Sequence, residues 1–409
     1  MRSITLKRTP LLILCLATVA LTATTVKLDA QAAAKPHLRG YSIVIPWKGG
    51  TADDAMAASK AGATIPLASF SFLASKDGGT YTNVIVGQSP FLATHFPTRV
   101  KILLVPMKLH IAGHVFDSTA PNSCGGSLGN SDLANFQNSP ILSPVTFDGG
   151  LGAGHAALVN GVNMGRRTYN NTHRRAEFLK AIGGPTSLYG THYDITVAAT
   201  QNIFQATTVG HSAIIVDNGG CAVVGGLDIN FFDTYLTTTV LNAVGGDPTY
   251  FVIFLMRDVV FYQGNTSNCC FLYHGALNNM QTYSPIDYDT TGEFGTGFVN
   301  VSVAAHEIGE WLDDPLGTNP TPPWGNIGQV SGCQNNWEVG DPLTGTLFPA
   351  IRMPNGVTYN PQENVFWSWF YSKDHGRAFQ NMTAGGKYSM NGTFGGPSMA
   401  CPPGGTFPN

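Results

Sequence analysis

The residues with the clearest capacity for chemistry lie in one short segment, which contains His306, Glu307 and Glu310. The pattern predicts a helix that ends before Pro315, because the residue preceding a proline avoids the helical region. At 3.6 residues per turn, His306 and Glu310 lie one turn apart on the same helix face. An imidazole and a carboxylate at this spacing can hold one small cation between them.

Glu307 follows the histidine directly, as the catalytic glutamate does in the H-E-x-x-H helices of zinc hydrolases. In this chain Glu310 occupies the position of the second histidine. Two carboxylates with one imidazole cancel the charge of Zn²⁺, which weakens its Lewis acidity and makes Ca²⁺ or Mn²⁺ stronger competitors. Zn²⁺ remains the expected ion by analogy with these hydrolases, with Ca²⁺ or Mn²⁺ as alternatives. Glu307 is the expected catalytic base.

A second interpretation of this helix involves no metal: a solvated helix face, or a structural cluster joined by hydrogen bonds. The residues just before His306 argue for burial, because Val303, Ala304 and Ala305 are small and apolar. A buried group of one histidine and two glutamates needs a partner for its charges. The sequence thus favours the metal site and leaves the structural cluster as the alternative.

A tight site needs a third ligand, and Glu338 and Asp341 are the candidates, about 30 residues downstream of the helix. The segment Gly340-Asp341-Pro342 is also typical of a turn, so ligand and turn both remain open. His274, on a short predicted strand, either lines the same cleft or is a packing and hydrogen-bonding residue.

Hydrophobic periodicity predicts a chain that mixes strands with helices. The strands are expected at 100–105, 107–111, 193–198, 213–216, 250–261 and 271–274, and the helices at 173–182, 230–244 and after 298–303. The aromatic run 366–371 favours a buried strand or helix start over a surface for stacking sugar rings. The fold class expected is α/β (α+β), a single mixed domain with long ordered loops. Residues 33–99 are expected to form a loosely structured N-terminal segment and residues 100–409 the mixed domain.

The composition excludes several classes of protein. Only 11% of the 409 residues are charged, against about 25% in an average domain, while 43% are hydrophobic. The hydrophobic fraction argues against wholesale disorder, and the abundance of glycine and proline argues against a coiled coil. A formal net charge of −3, with no run of basic residues, gives no reason to expect nucleic acid or an anionic membrane as a partner.

The first 32 residues are typical of a signal peptide. A basic start is followed by an apolar stretch over 11–23 and by the small-residue segment Ala30-Gln31-Ala32. The apolar stretch is shorter than the roughly 20 residues that span a bilayer. Removal of 1–32 leaves a net charge of −6. We therefore expect a secreted or extracytoplasmic protein, in the periplasm or at the cell surface, with no membrane association after cleavage.

The cysteines agree with an oxidising compartment. Six remain after cleavage, an even number without C-x-x-C spacing, which favours disulfides over a soft-metal site. They are Cys124, Cys221, Cys269, Cys270, Cys333 and Cys401. We expect three bridges, and the sequence does not determine the pairing.

The segment H-E-x-x-E with Asp314-Pro315, followed by Glu338-Val-Gly-Asp341 and preceded by Cys270-Phe-Leu-Tyr-His274, resembles secreted microbial relatives of the plant phosphate-induced (exordium-like) family. The resemblance is clearest over 228–345. Plant members lack the H-E-x-x-E residues, which implies that the fold does not require a metal. The helix itself resembles that of zincins, with a preceding short strand able to bind an extended peptide.

The resemblance and the residues together favour a secreted metallopeptidase-like protein with a zincin-like strand–helix core and an extended peptide or protein as substrate. The expected metal ligands are His306, Glu310 and either Asp341 or Glu338, with Glu307 as the base. The alternative is a non-catalytic extracellular or cell-wall-associated protein with a structural cation or none.

Overall fold

Among the described residues, the strands form an eight-stranded sheet, a four-stranded sheet and four two-stranded sheets, and a set of helices accompanies them. The computed structural model describes residues 43–124, 129–146, 158–204, 211–373, 382–399 and 401. The helices are α1 (Ala52–Lys60), α2 (Asp132–Gln137), α3 (Tyr169–Glu177), α4 (Ile229–Tyr235), α5 (Leu241–Ala243), α6 (Ser302–Asp313) and α7 (Trp367–Tyr371). A π-helical turn, Leu236–Val240, joins α4 to α5, which gives the continuous helix expected at 230–244.

The strands vary from two to fourteen residues in length. They are β1 (Ile43–Ile45), β2 (Leu67–Leu73), β3 (Thr80–Val86), β4 (Thr98–Ile111), β5 (His114–Asp117), β6 (Val145–Thr146), β7 (Arg166–Arg167), β8 (Thr191–Val197), β9 (Gln201–Phe204), β10 (Ser212–Asp217), β11 (Val223–Asp228), β12 (Tyr250–Arg257), β13 (Val259–Gln263), β14 (Asn265–Cys270), β15 (Tyr273–Ala276), β16 (Thr282–Tyr288), β17 (Pro320–Ile327), β18 (Val330–Asn336), β19 (Ile351–Arg352) and β20 (Thr358–Tyr359).

The larger sheet positions the candidate site. Its strand order is β1-β15-β16-β12-β4-β5, and β8 and β9 also pair with β4. The central pairs β16–β12 and β12–β4 are parallel, whereas β15 runs antiparallel to β16. The second sheet has the order β10-β11-β13-β14. This mixture of sheets and helices in one compact unit, residues 37–409, confirms the expected α+β class.

The strand expected at 250–261 is two strands in two different sheets. β12 ends at Arg257 in the larger sheet, and β13 starts at Val259 in the smaller one. Asp258 between them has a positive φ of 51°, which an extended strand does not allow. Conversely, the two strands expected at 100–105 and 107–111 are one strand, β4, in which Pro106 keeps register with Leu255 of β12.

The segment before residue 100 differs from its expectation. Residues 43–99 contain β1, α1 and the hairpin of β2 with β3, and β1 pairs in parallel with β15 of the larger sheet. The expectation of a loose N-terminal segment is therefore wrong for 43–99. The abundant alanine, glycine, serine and threonine of this segment gave only a weak periodicity, and burial against the rest of the chain decided the structure. The predicted signal peptide, 1–32, lies outside the described residues.

Helix α6 is buried on every side, which its sequence explains. Apolar side chains occupy the positions that face the sheet, and Trp311 stacks on Phe251 of β12 with ring centroids 3.8 Å apart. The helix ends at Asp313, and Asp314 caps it before Pro315, as the proline predicted. The helix expected at 173–182 is α3, which begins four residues earlier, at Tyr169, and ends five residues earlier, at Glu177.

Two disulfides are present among the described cysteines, Cys124–Cys221 and Cys333–Cys401. Cys270 is buried, and the side chain of Cys269 lies outside the described set.

The aromatic run 366–371 is buried and forms α7 from Trp367 onward, as the prediction of a buried strand or helix start stated. Within the described ranges, no helix has both the length and the apolar character needed to cross a bilayer.

Candidate metal centre

His306, Glu310 and Asp341 converge in the interior. The Nε2 atom of His306 lies 3.0 Å from Oε1 of Glu310 and 3.3 Å from Oδ1 of Asp341. All three side chains are at most 4% exposed. The buried Nε2 of His306 forms no hydrogen bond, although both carboxylates lie close to it. We call these three residues the His306 triad.

The loop that contains Asp341 is hydrogen-bonded to Glu310 of α6. The backbone amides of Gly340 and Asp341 both donate to Oε1 of Glu310, at 3.1 and 3.2 Å. Of the two expected third ligands, Asp341 therefore reaches His306. Glu338 is also buried, but Oε1 of its carboxylate accepts from Asn336 Nδ2 at 2.9 Å, and Glu338 joins none of the ligand groups found among the described residues. Oε2 of Glu338 has no hydrogen-bond partner.

Glu307 and His274 form a second group beside the first. Nδ1 of His274 lies 2.8 Å from Oε2 of Glu307 and 4.0 Å from Oε2 of Glu310. His274 is fully buried on β15, and its Nε2 faces the carbonyl oxygen of Asp314 at 3.1 Å. His274, Glu307 and Glu310 are here called the His274 triad. His274 therefore lies in the same cluster and is also a buried residue with a hydrogen-bond contact at each ring nitrogen, so both of its expected roles stay open.

Gln362 contacts the outer nitrogen of the His306 ring and was not predicted from the sequence. Its Nε2 lies 2.9 Å from Nδ1 of His306 and also donates to the carbonyl of Gly340 at 2.8 Å. Gln329 makes a short contact from its Nε2 to Oδ1 of Asp341. Polar side chains of this kind orient ligands, and no spacing rule connects a glutamine 56 residues away to His306.

The electrostatics of the cluster show how strongly the groups interact. Burial opposes a charge on His306, but the carboxylates of Glu310 and Asp341 outweigh burial and raise its pKa well above the usual value. Burial raises the pKa of Glu307, and the charge of Glu310 adds to this shift. Burial and Glu310 raise the pKa of Asp341 to about 7. Burial is the main cause of the raised pKa of Glu338, and the negative charge of Glu310 adds to it. Glu338 therefore interacts with the same carboxylates.

The acidic residue one turn beyond Glu310 belongs to a different cluster. Oδ1 of Asp313 pairs with Nε of Arg174 at 3.2 Å, and Oδ2 lies 3.6 Å from Nδ1 of His173 on the same helix, α3. Glu177 completes this buried group. Because Arg174 supplies a permanent positive charge there, the group needs no cation. The His306 and His274 triads differ from this group because they contain no arginine. Their buried histidines and carboxylates could hold a metal ion.

The expected binding of a peptide beside the short strand is not compatible with the sheet. β15 pairs with β1 on one side and with β16 on the other, so both of its edges are already occupied. Strand addition requires a free edge. The expectation that this strand receives an extended peptide is therefore wrong for β15.

Comparison with known proteins adds no family assignment, since no family model, curated protein or solved structure matches the chain.

Proposed function

We propose that this protein binds a divalent cation through the His306 triad. The convergence of Nε2 of His306, Oε1 of Glu310 and Oδ1 of Asp341 carries the proposal. Two ligand atoms bound to zinc at about 2.0–2.1 Å with tetrahedral angles lie about 3.3 Å apart. The observed separations from Nε2, 3.0 and 3.3 Å, match that spacing. A buried carboxylate pair also needs a positive counterion.

The donor set favours Zn²⁺ or Mn²⁺ over Ca²⁺. Ca²⁺ takes six to eight oxygen ligands, whereas the His306 triad offers one nitrogen and two carboxylates within a small enclosed space. Zn²⁺ accepts this mixture of imidazole and carboxylate at a coordination number of four. We infer Zn²⁺ as the ion, with Mn²⁺ as its main competitor.

On this site we propose hydrolysis of a peptide bond. Zn²⁺ would polarise the substrate carbonyl and lower the pKa of water. Glu307 would accept a proton at Oε1, the oxygen that faces Nε2 of His306 at 4.0 Å. Its raised pKa, which burial and the charge of Glu310 cause, favours uptake of a proton by this carboxylate. His274 would hold the other oxygen of this carboxylate in place, at 2.8 Å.

A structural cation is the second candidate, and burial favours it. Each side chain of the His306 triad, and that of Glu307, is at most 4% exposed. Enclosed sites are typical of structural ions, whereas catalytic sites keep a position open to substrate. Under this alternative the protein is a non-catalytic extracellular protein.

We infer export from the predicted signal peptide together with the disulfides. Cys124–Cys221 and Cys333–Cys401 close loops of 97 and 68 residues, and such bridges fit an extracytoplasmic compartment. The resemblance to microbial exordium-like proteins is part of the same proposal.

The decisive experiment separates binding from catalysis. Metal content of the purified protein should be at least one equivalent of Zn²⁺ or Mn²⁺ per chain, and His306→Ala should reduce it. Glu307→Gln should abolish cleavage of an unfolded protein substrate while the ion of the His306 triad remains bound. The matched control is Glu293→Gln, because Glu293 lies outside both triads and its carboxylate bonds Asn218.

Each result has a definite meaning. A wild-type protein without metal contradicts the proposed site. A protein that contains the metal but cleaves no peptide supports the structural cation, and a Glu307→Gln variant that cleaves at the wild-type rate removes Glu307 as the base.

A further inference from the structure

The two glutamates of α6 each face both histidines. Glu310 presents Oε1 to Nε2 of His306 at 3.0 Å and Oε2 to Nδ1 of His274 at 4.0 Å. Glu307 presents Oε1 to His306 at 4.0 Å and Oε2 to His274 at 2.8 Å. The His306 and His274 triads therefore lie side by side and share Glu310.

The hydrogen bond between Nε2 of His274 and the carbonyl of Asp314 determines which ring nitrogen carries the proton. Nε2 lies 3.1 Å from the carbonyl oxygen of Asp314, which can only accept, so Nε2 carries a proton. Neutral His274 then directs the lone pair of Nδ1 at the carboxylate of Glu307. A lone pair and a carboxylate oxygen 2.8 Å apart repel each other unless a positive charge lies between them. That charge is either a proton or a metal ion.

The charge of the cluster exceeds what one divalent ion neutralises. Glu307, Glu310 and Asp341, the carboxylates of the two triads, are at most 1% exposed and carry three negative charges when ionised. One divalent ion offsets two of these charges, and the third then needs a second cation. Dinuclear centres in other folds use the same kinds of donor, histidine nitrogens and carboxylate oxygens.

We propose that the centre is dinuclear, with a second divalent cation held by His274, Glu307 and Glu310 and with Glu310 bridging the two ions. This inference rests on the proposed cation site of the His306 triad and extends it. The donors are imidazole nitrogen and carboxylate oxygen, so the class of ion is a divalent first-row metal such as Mn²⁺ or Zn²⁺. In this centre Glu307 is a ligand of the second ion, in addition to any role in proton transfer.

Metal stoichiometry tests the proposal directly. Protein freed of metal with a chelator is loaded with Mn²⁺ and desalted, and bound metal is counted. Wild-type protein should retain two equivalents, His274→Ala one, and Glu310→Gln close to none, because Glu310 belongs to both triads. His192→Ala, the same substitution at an exposed strand residue, should retain two.

A measurement on the wild-type protein covers the case in which His274→Ala does not fold. Two carboxylate-bridged Mn²⁺ ions couple magnetically, so the electron paramagnetic resonance spectrum at two equivalents should differ from the six-line signal of isolated Mn²⁺. Retention of a single equivalent with an uncoupled signal overturns the dinuclear centre and leaves the mononuclear proposal intact. Retention of no metal overturns both.

Discussion

Gly340 lies directly against the imidazole ring of His306. A Cβ atom at position 340 would be 2.4 Å from Cγ of the ring and 2.6 Å from Nδ1. The backbone of Gly340 has φ −86°, which any residue adopts, so the absence of a side chain is what the contact requires. The loop that delivers Asp341 can approach α6 this closely only because residue 340 is a glycine.

Gly340→Ala should therefore displace the ring of His306 and weaken cation binding. Displacement of groups that orient a metal ligand typically costs 10–100-fold in affinity, and we expect a loss of at least about tenfold for Zn²⁺. Competition with a chromophoric chelator measures this affinity. Gly395→Ala is the control, because no atom lies within 4 Å of a Cβ at Gly395. Equal affinities for the two variants would show that the contact is irrelevant to binding.

Gly309→Ala should destabilise the fold, although alanine is the better helix former by about 1 kcal/mol. A Cβ at position 309 would lie 2.2 Å from Nδ2 of Asn364 and 3.2 Å from Nδ2 of Asn170. Both amides donate to the carbonyl of Ala305, at 3.0 and 2.6 Å. Loss of these buried hydrogen bonds should lower the free energy of unfolding by about 2–4 kcal/mol, measured by urea denaturation. An increase in stability would contradict this packing.

Arg174→Leu should be among the most destabilising single substitutions. Arg174 is 1% exposed, and its partner Asp313 would be left as an uncompensated buried charge. Breaking a buried ion pair from one side costs about 3–5 kcal/mol. Arg99→Leu is the matched control, because Arg99 pairs with Asp194 at the surface and should cost about 1 kcal/mol or less. Similar losses for both variants in urea denaturation would refute the distinction.

Stability should fall in weak acid because His173 is buried in its neutral form. Burial lowers the pKa of His173 from 6.5 to about 4. Below pH 6.5 the unfolded chain binds a proton that the folded chain does not, so stability falls as the pH drops from 6.5 to about 4 and this contribution then levels off. The shift corresponds to about 3 kcal/mol.

The comparison with His173→Gln isolates this contribution. Glutamine keeps a donor for the carbonyl of Val365, which Nε2 of His173 faces at 2.8 Å, but it does not titrate. Urea denaturation from pH 7 to pH 4 measures the free energy of unfolding of both proteins. As the pH falls, the wild type should lose more stability than the variant. A difference that stays constant over this range would exclude His173 as the titrating group.

Local pattern predicted much of the fold. The i, i+4 spacing and Pro315 placed His306 and Glu310 on one face of a helix that ends where it was expected to end. The strand periodicity located β4 and β8, and the continuous helix at 229–243 follows its apolar spacing. The errors arose where burial overrode pattern: at Asp258, where one apolar run divides between two sheets, and in residues 43–99, where weak periodicity concealed a helix and strands.

The sequence alone determined the helix that carries His306, Glu307 and Glu310, because a helix fixes the relation of residues one turn apart. Only the tertiary structure decided that Asp341 joins this face and that Glu338 does not, since a loop could present either side chain. It also decided that His274 meets Glu307, because β15 takes its place in the larger sheet through pairing with β1 and β16, strands whose contacts no local pattern encodes. The cluster is a product of those long-range pairings, which the free energy of the whole core selects.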